Sequence, residues 1–306
     1  MQHFLLSCAV HRKGYPAMLR KRVLSVSTFL ALALSAIAQT VKIDATLLAR
    51  ANAGDAASQF AVAQTYEKGN DAANAARWYQ KAADDGYAEA QYQLGLLYSN
   101  GKGVEQDQQK AALWIRSAAE QNYAPAELQL GLLYDHGDGM PQDIARAAEW
   151  YRRAALQNDA EAQFNLATLY ERGQGVPQDY AQAADLYRRA ADQGLASAQF
   201  NLALLYDNGQ GIGRDYAQAA QWYLKAAEQG VPRAQYNLGT LYANGQGVPV
   251  NLVEAYFWLD VAASTWGGAH QQEAVQARNT VAAHLSADDL AKAQERAAKW
   301  LANRQK

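Results

Sequence analysis

Between Ala160 and Tyr170 the apolar residues Ala162, Leu166, Leu169 and Tyr170 recur at i, i+4, i+7 and i+8, while Gln163, Asn165 and Thr168 fall outside that row. This spacing places the four on one face of an amphipathic helix. Gly173-Gln174-Gly175 follows, and glycine accepts the left-handed backbone with which helices commonly end. Asp179 then stands where a carboxylate can accept the free amides of a new first turn, with Gln182 three residues on in capping-box order. The stretch predicts a helix, a glycine-rich turn and a second helix.

The same pattern returns every 36 residues. Tyr98, Tyr134, Tyr170, Tyr206 and Tyr242 hold one place in it; Gly101, Gly137, Gly173, Gly209 and Gly245 hold a second, and Gly103, Gly139, Gly175, Gly211 and Gly247 a third. Trp78, Trp114, Trp150, Trp222 and Trp258 share the period, with Leu186 in the remaining slot, and paired alanines recur from Ala82-Ala83 to Ala262-Ala263. Asp215 with Gln218 repeats the cap at Asp179, whereas Asp107 and Asp143 keep the carboxylate alone. A fixed period of 20 to 50 residues is the signature of a repeat architecture in which each unit buries its apolar face against its neighbours.

The residues that carry a family likeness are Ala90, Leu94, Gly95 and Tyr98, then Gly101 to Val104, Asp107, Ala111 with Trp114, and Ala118-Ala119. The pattern resembles the Sel-one-like repeat family, a relative of the tetratricopeptide repeats, over about residues 56 to 265 in six units. The departures are small: Ala167 and Ala203 replace the small glycine, Asn251 the capping Asp, and Leu186 the Trp. The resemblance implies a superhelix of paired antiparallel helices that binds proteins or peptides. The expected fold is therefore all-α, an α/α superhelical solenoid of about six helix-turn-helix repeats with a C-terminal helical cap.

Solenoids need caps over their exposed end faces. Tyr66 to Trp78 spans 12 residues where Tyr98 to Trp114 spans 16, so the first turn is shortened by four. Tyr256 and Phe257 occupy slots held elsewhere by Ala, Leu, Glu, Asp or Gln, which makes the last second helix apolar on its outer side. The expected cover is the tail, with one helix over Gln271 to His284 and another over Ala287 to Ala302, capped by Ser286 and boxed by Asp289. Residues 39–55 form the expected N-terminal cap and 266–306 the C-terminal one.

Charge changes the picture at the N-terminus. Arg20-Lys21-Arg22, the mostly apolar Val23 to Leu34 and Ser35-Ala36-Ile37-Ala38 follow the order of a secretory signal peptide, so residues 1–38 are expected to be an N-terminal extension and signal, with translation starting at Met18. The apolar stretch is shorter than the roughly 20 residues that span a bilayer. Cleavage after Ala38 removes five basic and no acidic residues, leaving 23 basic against 30 acidic and a formal charge of −7. An acidic surface without a long Lys/Arg cluster repels phosphate, which argues against nucleic acid as a partner. Cys8, in Leu5-Leu6-Ser7-Cys8, lies too near the terminus to follow a leader, and its loss leaves no thiol for disulfides, catalysis or metal.

Candidate chemistry is sparse. His136 shares its slot with Asn100, Arg172, Asn208 and Asn244 and is expected to be a turn residue, and His270 and His284 surface residues. No H-E-x-x-H, G-x-S-x-G or phosphate-loop motif occurs. Glu149 with Arg153 and Asp185 with Arg189 are expected i,i+4 pairs on a solvated outer face. No catalytic residue, cofactor or metal is expected.

On the first helices, a 100-degree step turns Phe164 and Thr168 away from the core-facing row, onto the surface that lines the concavity in related solenoids. Across units this stripe is Tyr92 and Leu96, Leu128 and Leu132, Phe164 and Thr168, Phe200 and Leu204, Tyr236 and Thr240, with Gln93, Gln129, Asn165, Asn201 and Asn237 beside it. Rings that bury side chains, next to amides that pair with backbone, suit an extended peptide. Packing of the rings between units is the competing account, and burial of most of Phe164, Phe200 and Tyr236 would favour it. The expected function is an exported, non-enzymatic scaffold for a protein or peptide, periplasmic or secreted. An envelope-associated hydrolase is the alternative, which the missing cysteine and Ser-x-x-Lys weaken.

Overall fold

The computed structural model describes residues 42–304, and helices are the only regular structure among them. The first helices of the six units are α2 (Ala56–Lys68), α4 (Ala88–Asn100), α6 (Ala124–His136), α8 (Ala160–Arg172), α10 (Ala196–Asn208) and α12 (Pro232–Asn244). The second helices are α3 (Ala72–Asp84), α5 (Gln108–Glu120), α7 (Ile144–Leu156), α9 (Tyr180–Asp192), α11 (Tyr216–Glu228) and α13 (Leu252–Thr265). A short α1 (Ala45–Asn52) precedes them, and α14 (Ala269–Ala282) and α15 (Ala287–Arg304) follow. From α1 to α14 each helix packs on the next in the chain, and α15 returns to pack on α13. This is the all-α solenoid that the 36-residue period requires.

The turn residues act as their types dictate. Gly173 ends α8 at φ +66° and donates its amide to the Leu169 carbonyl. Asp179 opens α9 by accepting from the amides of Ala181 at 2.9 Å and Gln182 at 3.0 Å. Asp107, Asp143 and Asp215 repeat that cap, and Asn251, the departure from the pattern, still accepts from Glu254 N at 3.1 Å. Asparagine caps as well as aspartate does, so the substitution leaves the helix start intact.

The core alternates two kinds of contact. In the second helices Tyr79, Tyr151, Tyr187 and Tyr223 are fully buried, and each hydroxyl donates to a carboxylate in the last turn of its own unit's first helix: Glu67 at 2.8 Å, Asp135 at 3.1 Å, Glu171 at 2.6 Å and Asp207 at 3.0 Å. Where that place holds Ile115 or Leu259, the acidic place holds Ser99 or Ala243. The two positions change together within one chain because a buried hydroxyl needs an acceptor and a buried methyl does not.

A second ladder joins consecutive units. The amides of Gln91, Gln163, Gln199 and Gln235 donate to the carbonyls of Ala83, Ala155, Ala191 and Ala227, eight residues earlier in the preceding second helix, at 3.1 to 3.3 Å. Their side-chain oxygens accept from Gln121, Gln193, Gln229 and Thr265. Glu127 takes the one carboxylate place in this row; it is buried, accepts from Gln157 at 2.7 Å and pairs with Arg153 at 3.0 Å. Arg153 therefore turns away from Glu149, its expected partner, because Glu127 is a buried charge in need of one. Arg189 likewise reaches the Ala155 carbonyl at 3.1 Å rather than Asp185.

At the start of the ladder Gln59 donates to Ala51 at 3.4 Å, yet its buried Oε1 lacks a partner among the described residues. The reason lies in Asp85, which occupies the place of Gln121, Gln157, Gln193 and Gln229 and carries no donor. Asp85→Gln is expected to supply that donor and to stabilise the protein by about 1 kcal/mol, read as a higher urea midpoint at unchanged slope. An unchanged or lower midpoint would show that the Gln59 oxygen needs no such donor.

The ends differ from the middle. The Gln271 amide donates to Ala263 at 3.1 Å, which places α14 as the first helix of a seventh unit. Its far side carries exposed Gln272, Gln276, Asn279 and Thr280, a polar face that ends the stack. In place of the second helix of that unit, α15 lies over the apolar outer side of α13. Trp300 meets Trp258 edge to face at 6.2 Å, Arg296 lies 4.0 Å above the Phe257 ring and Gln294 donates to the Tyr256 hydroxyl at 3.2 Å. Ser286 caps α15 as expected, its hydroxyl accepting from the Asp289 amide at 3.2 Å, and the same hydroxyl donates to the Asp289 carboxylate at 2.8 Å in place of the backbone bond that completes a box. No helix among the described residues is long and apolar enough to cross a membrane, and the signal-like segment and Cys8 lie outside the described residues.

Candidate protein-interaction surface

The side chains that the sequence assigned to a groove form one row on the first helices. Tyr92, Leu128, Phe164 and Tyr236 are half-buried, and Phe200 is buried at 8% exposure. Each ring leans on a neighbour: Tyr92 on Tyr123 at 5.5 Å, Phe164 on Tyr187 at 5.7 Å, Phe200 on Tyr223 at 5.9 Å and Tyr236 on Trp266 at 5.7 Å. One of Phe164, Phe200 and Tyr236 is thus packed away, and the other two keep part of their surface open.

One of the amides beside the row has a role the sequence did not suggest. Asn201 donates to the Tyr187 hydroxyl at 3.0 Å. This bond ties a first helix to the second helix of the unit before it. The Asn201 amide thus also serves the stacking of units, because the tyrosine hydroxyl reaches the interface between them, and Asn237 is half-buried at the same place one unit on. Asn165 is half-buried beside Phe164.

Sequence reasoning missed the residues that join the rings into a ribbon. Tyr87, Tyr123, Leu195 and Val231 precede α4, α6, α10 and α12, and all four are half-buried against the core. Phe60 meets Tyr87 at 5.2 Å, so the ribbon runs on from the first unit, and Arg233 of α12 stands 5.9 Å from the Phe200 ring of the unit before. A signal existed: this place recurs at the 36-residue period and is apolar or aromatic in four of five interior units, with Asp159 as the exception.

Tyr87, Tyr92 and Tyr123 titrate above the ordinary tyrosine range. Burial raises Tyr92, with Tyr123 and Asp159 adding to it; burial also raises Tyr87 and Tyr123, and the Glu89 carboxylate is the next cause at both. The histidines stand apart: His136 lies 3.9 Å from Asp138, His284 bonds the Thr280 carbonyl at 2.9 Å, and His270 stacks on Trp266 at 4.7 Å. Among the described residues no three His, Cys, Asp or Glu side chains gather as metal ligands.

The Sel1 repeat model matches residues 56–87, 88–123, 124–159, 160–195, 196–231 and 232–264, and the chain belongs to the Sel1 repeat family. It is similar to the crystal structure of a Sel1 repeat protein from Oxalobacter formigenes, at 32% identity over 70% of this chain and 88% of that one, with a TM-score of 0.66. It is also similar to a protective antigen present in uropathogenic Escherichia coli strains that displays the same repeat fold, at 29% identity over 82% of this chain and 62% of that one, with a TM-score of 0.56. A search of curated proteins returned no significant match. Sel1-repeat proteins are generally protein-interaction scaffolds and typically lack enzymatic activity, and the likeness lends no support to a hydrolase.

Proposed function

We propose that this chain is an exported, non-enzymatic scaffold that binds a protein or peptide partner along its first-helix ribbon, on the concave side of the superhelix. The observation that carries the reading is the ribbon itself: Tyr92, Leu128, Phe164 and Tyr236 stay half-buried in a fold whose second helices bury Tyr79, Tyr151, Tyr187 and Tyr223 completely. A partly open row of apolar and aromatic side chains costs solubility unless something covers it. The signal-like N-terminus supports an address outside the cytoplasm, periplasmic or secreted, as does the likeness to a protective antigen.

The test is a crosslinking pull-down from envelope extract, with the full chain expressed and processed by its own leader. The native protein is compared with Tyr92→Ala/Phe164→Ala/Tyr236→Ala, which spares the buried Phe200 and is checked by circular dichroism. A discrete partner captured by the native form and reduced at least tenfold in the folded variant is expected. Equal capture by both places the interface elsewhere, and no capture by either sinks the scaffold reading.

A further inference from the structure

Charge along the ribbon is uneven. In its N-terminal half Asp159 holds the repeat place of Tyr87 and Tyr123, and Glu161 that of Glu89, whereas in its C-terminal half the first place holds Leu195 and Val231 and the second Ser197 and Arg233. The Tyr92 and Tyr123 rings meet edge to face at 66°, and Glu89 and Asp159 are half-buried in the same row, where, after burial, the Glu89 charge also raises Tyr87 and Tyr123 and the Asp159 charge Tyr92. None of the ion pairs among the described residues engages Glu89, Asp159 or Glu161. Asp159 accepts only from the Ala162 amide at 2.8 Å, as the cap of α8.

Glu89 and Asp159, half-buried and outside any ion pair among the described residues, in one row with Tyr87, Tyr92 and Tyr123, complement a cation in two ways. The carboxylates supply the countercharge, and the ring faces attract ammonium or guanidinium groups. We propose that this half of the ribbon receives the lysine or arginine side chains of an extended peptide, laid over Tyr87, Tyr92 and Tyr123 and paired with Glu89 and Asp159, while apolar residues of the same peptide take the C-terminal half. The proposal rests on the interaction-surface reading above and adds the chemistry of the partner: a basic segment joined to an apolar one.

The test selects random twelve-residue peptides displayed on phage against the purified full-length protein. The recovered sequences are then synthesised with fluorescein, and their affinities are measured by anisotropy at 50 and 300 mM NaCl. Enrichment of Lys or Arg next to aromatic or aliphatic residues is expected, with affinity falling at least tenfold in Glu89→Gln/Asp159→Asn and its salt dependence flattening. Asparagine keeps the cap on α8, so that variant folds. The outer-face variant Glu149→Gln/Asp185→Asn is expected to bind as the native protein does. Recovered peptides without basic residues, or with affinities that survive Glu89→Gln/Asp159→Asn, overturn the charge assignment and leave the surface standing. An empty selection, or binding that survives Tyr92→Ala/Phe164→Ala/Tyr236→Ala, overturns the surface and this proposal together.

Discussion

Gly175→Ala is expected to lower the unfolding free energy by about 3 kcal/mol, far more than a surface-turn substitution usually does. Two costs add at this position. Its backbone sits at φ +67°, where a side chain meets its own carbonyl, a penalty of about 1–2 kcal/mol. A methyl group there would also lie 2.6 Å from the carbonyl carbon and oxygen of Ile144 and 2.8 Å from the Ala145 nitrogen, in the first turn of the preceding unit's second helix. Backbone has nowhere to go without shifting one unit against the next, which costs about another 1–3 kcal/mol. Gly194→Asn is the control. Its φ is +93°, nothing lies within 4 Å of an added Cβ, and the equivalent places hold Asn122 and Asn158 at φ +62° and +68°. Urea unfolding of both variants checks the contrast, and equal midpoints would show that the turn does not press on the neighbouring unit.

That comparison also explains what the sequence made legible. A 36-residue period repeats the same physical demand several times, so glycines under that demand, the caps and the helix pairs stand out against varied surface residues. The tail over Tyr256 and Phe257 was legible because an apolar patch on the outer side of α13 calls for a cover. The partners of side chains were not legible. Glu149 and Arg153 have ideal helical spacing, yet Arg153 turns to Glu127, a residue 26 positions earlier whose burial only the stacking of units creates. The bond from Asn201 to Tyr187 was not legible because periodicity assigns a face and does not say what reaches it from the next unit. Tyr87 and Tyr123 escaped notice because they lie between helices, outside the 100-degree pattern used to find the stripe.

Raising the pH above about 10 is expected to unfold the solenoid steeply. Tyr79, Tyr151, Tyr187 and Tyr223 all titrate well above the ordinary tyrosine range, first because burial disfavours the phenolate and then because each hydroxyl faces a carboxylate. Below pH 10 both folded and unfolded tyrosines keep their protons, so this contribution to stability is whole and flat. As pH rises past the unfolded pKa, the unfolded chain releases protons that the folded one holds, and stability is lost. Each such tyrosine contributes a slope of up to about 1.4 kcal/mol per pH unit, so four together approach about 5 kcal/mol per pH unit. Absorbance near 295 nm, followed alongside circular dichroism, is expected to show phenolate appearing in two stages: partly exposed tyrosines first, then the buried set together with loss of helix. Tyr187→Phe removes one proton from the second stage and is expected to reduce the slope by about a quarter. It also strips the Glu171 carboxylate of its 2.6 Å donor, at a cost of about 1–3 kcal/mol near neutrality. A single smooth titration near pH 10 with the helices intact would mean that the hydroxyls reach water, and would leave the paired change of tyrosine and acid between units without its physical cause.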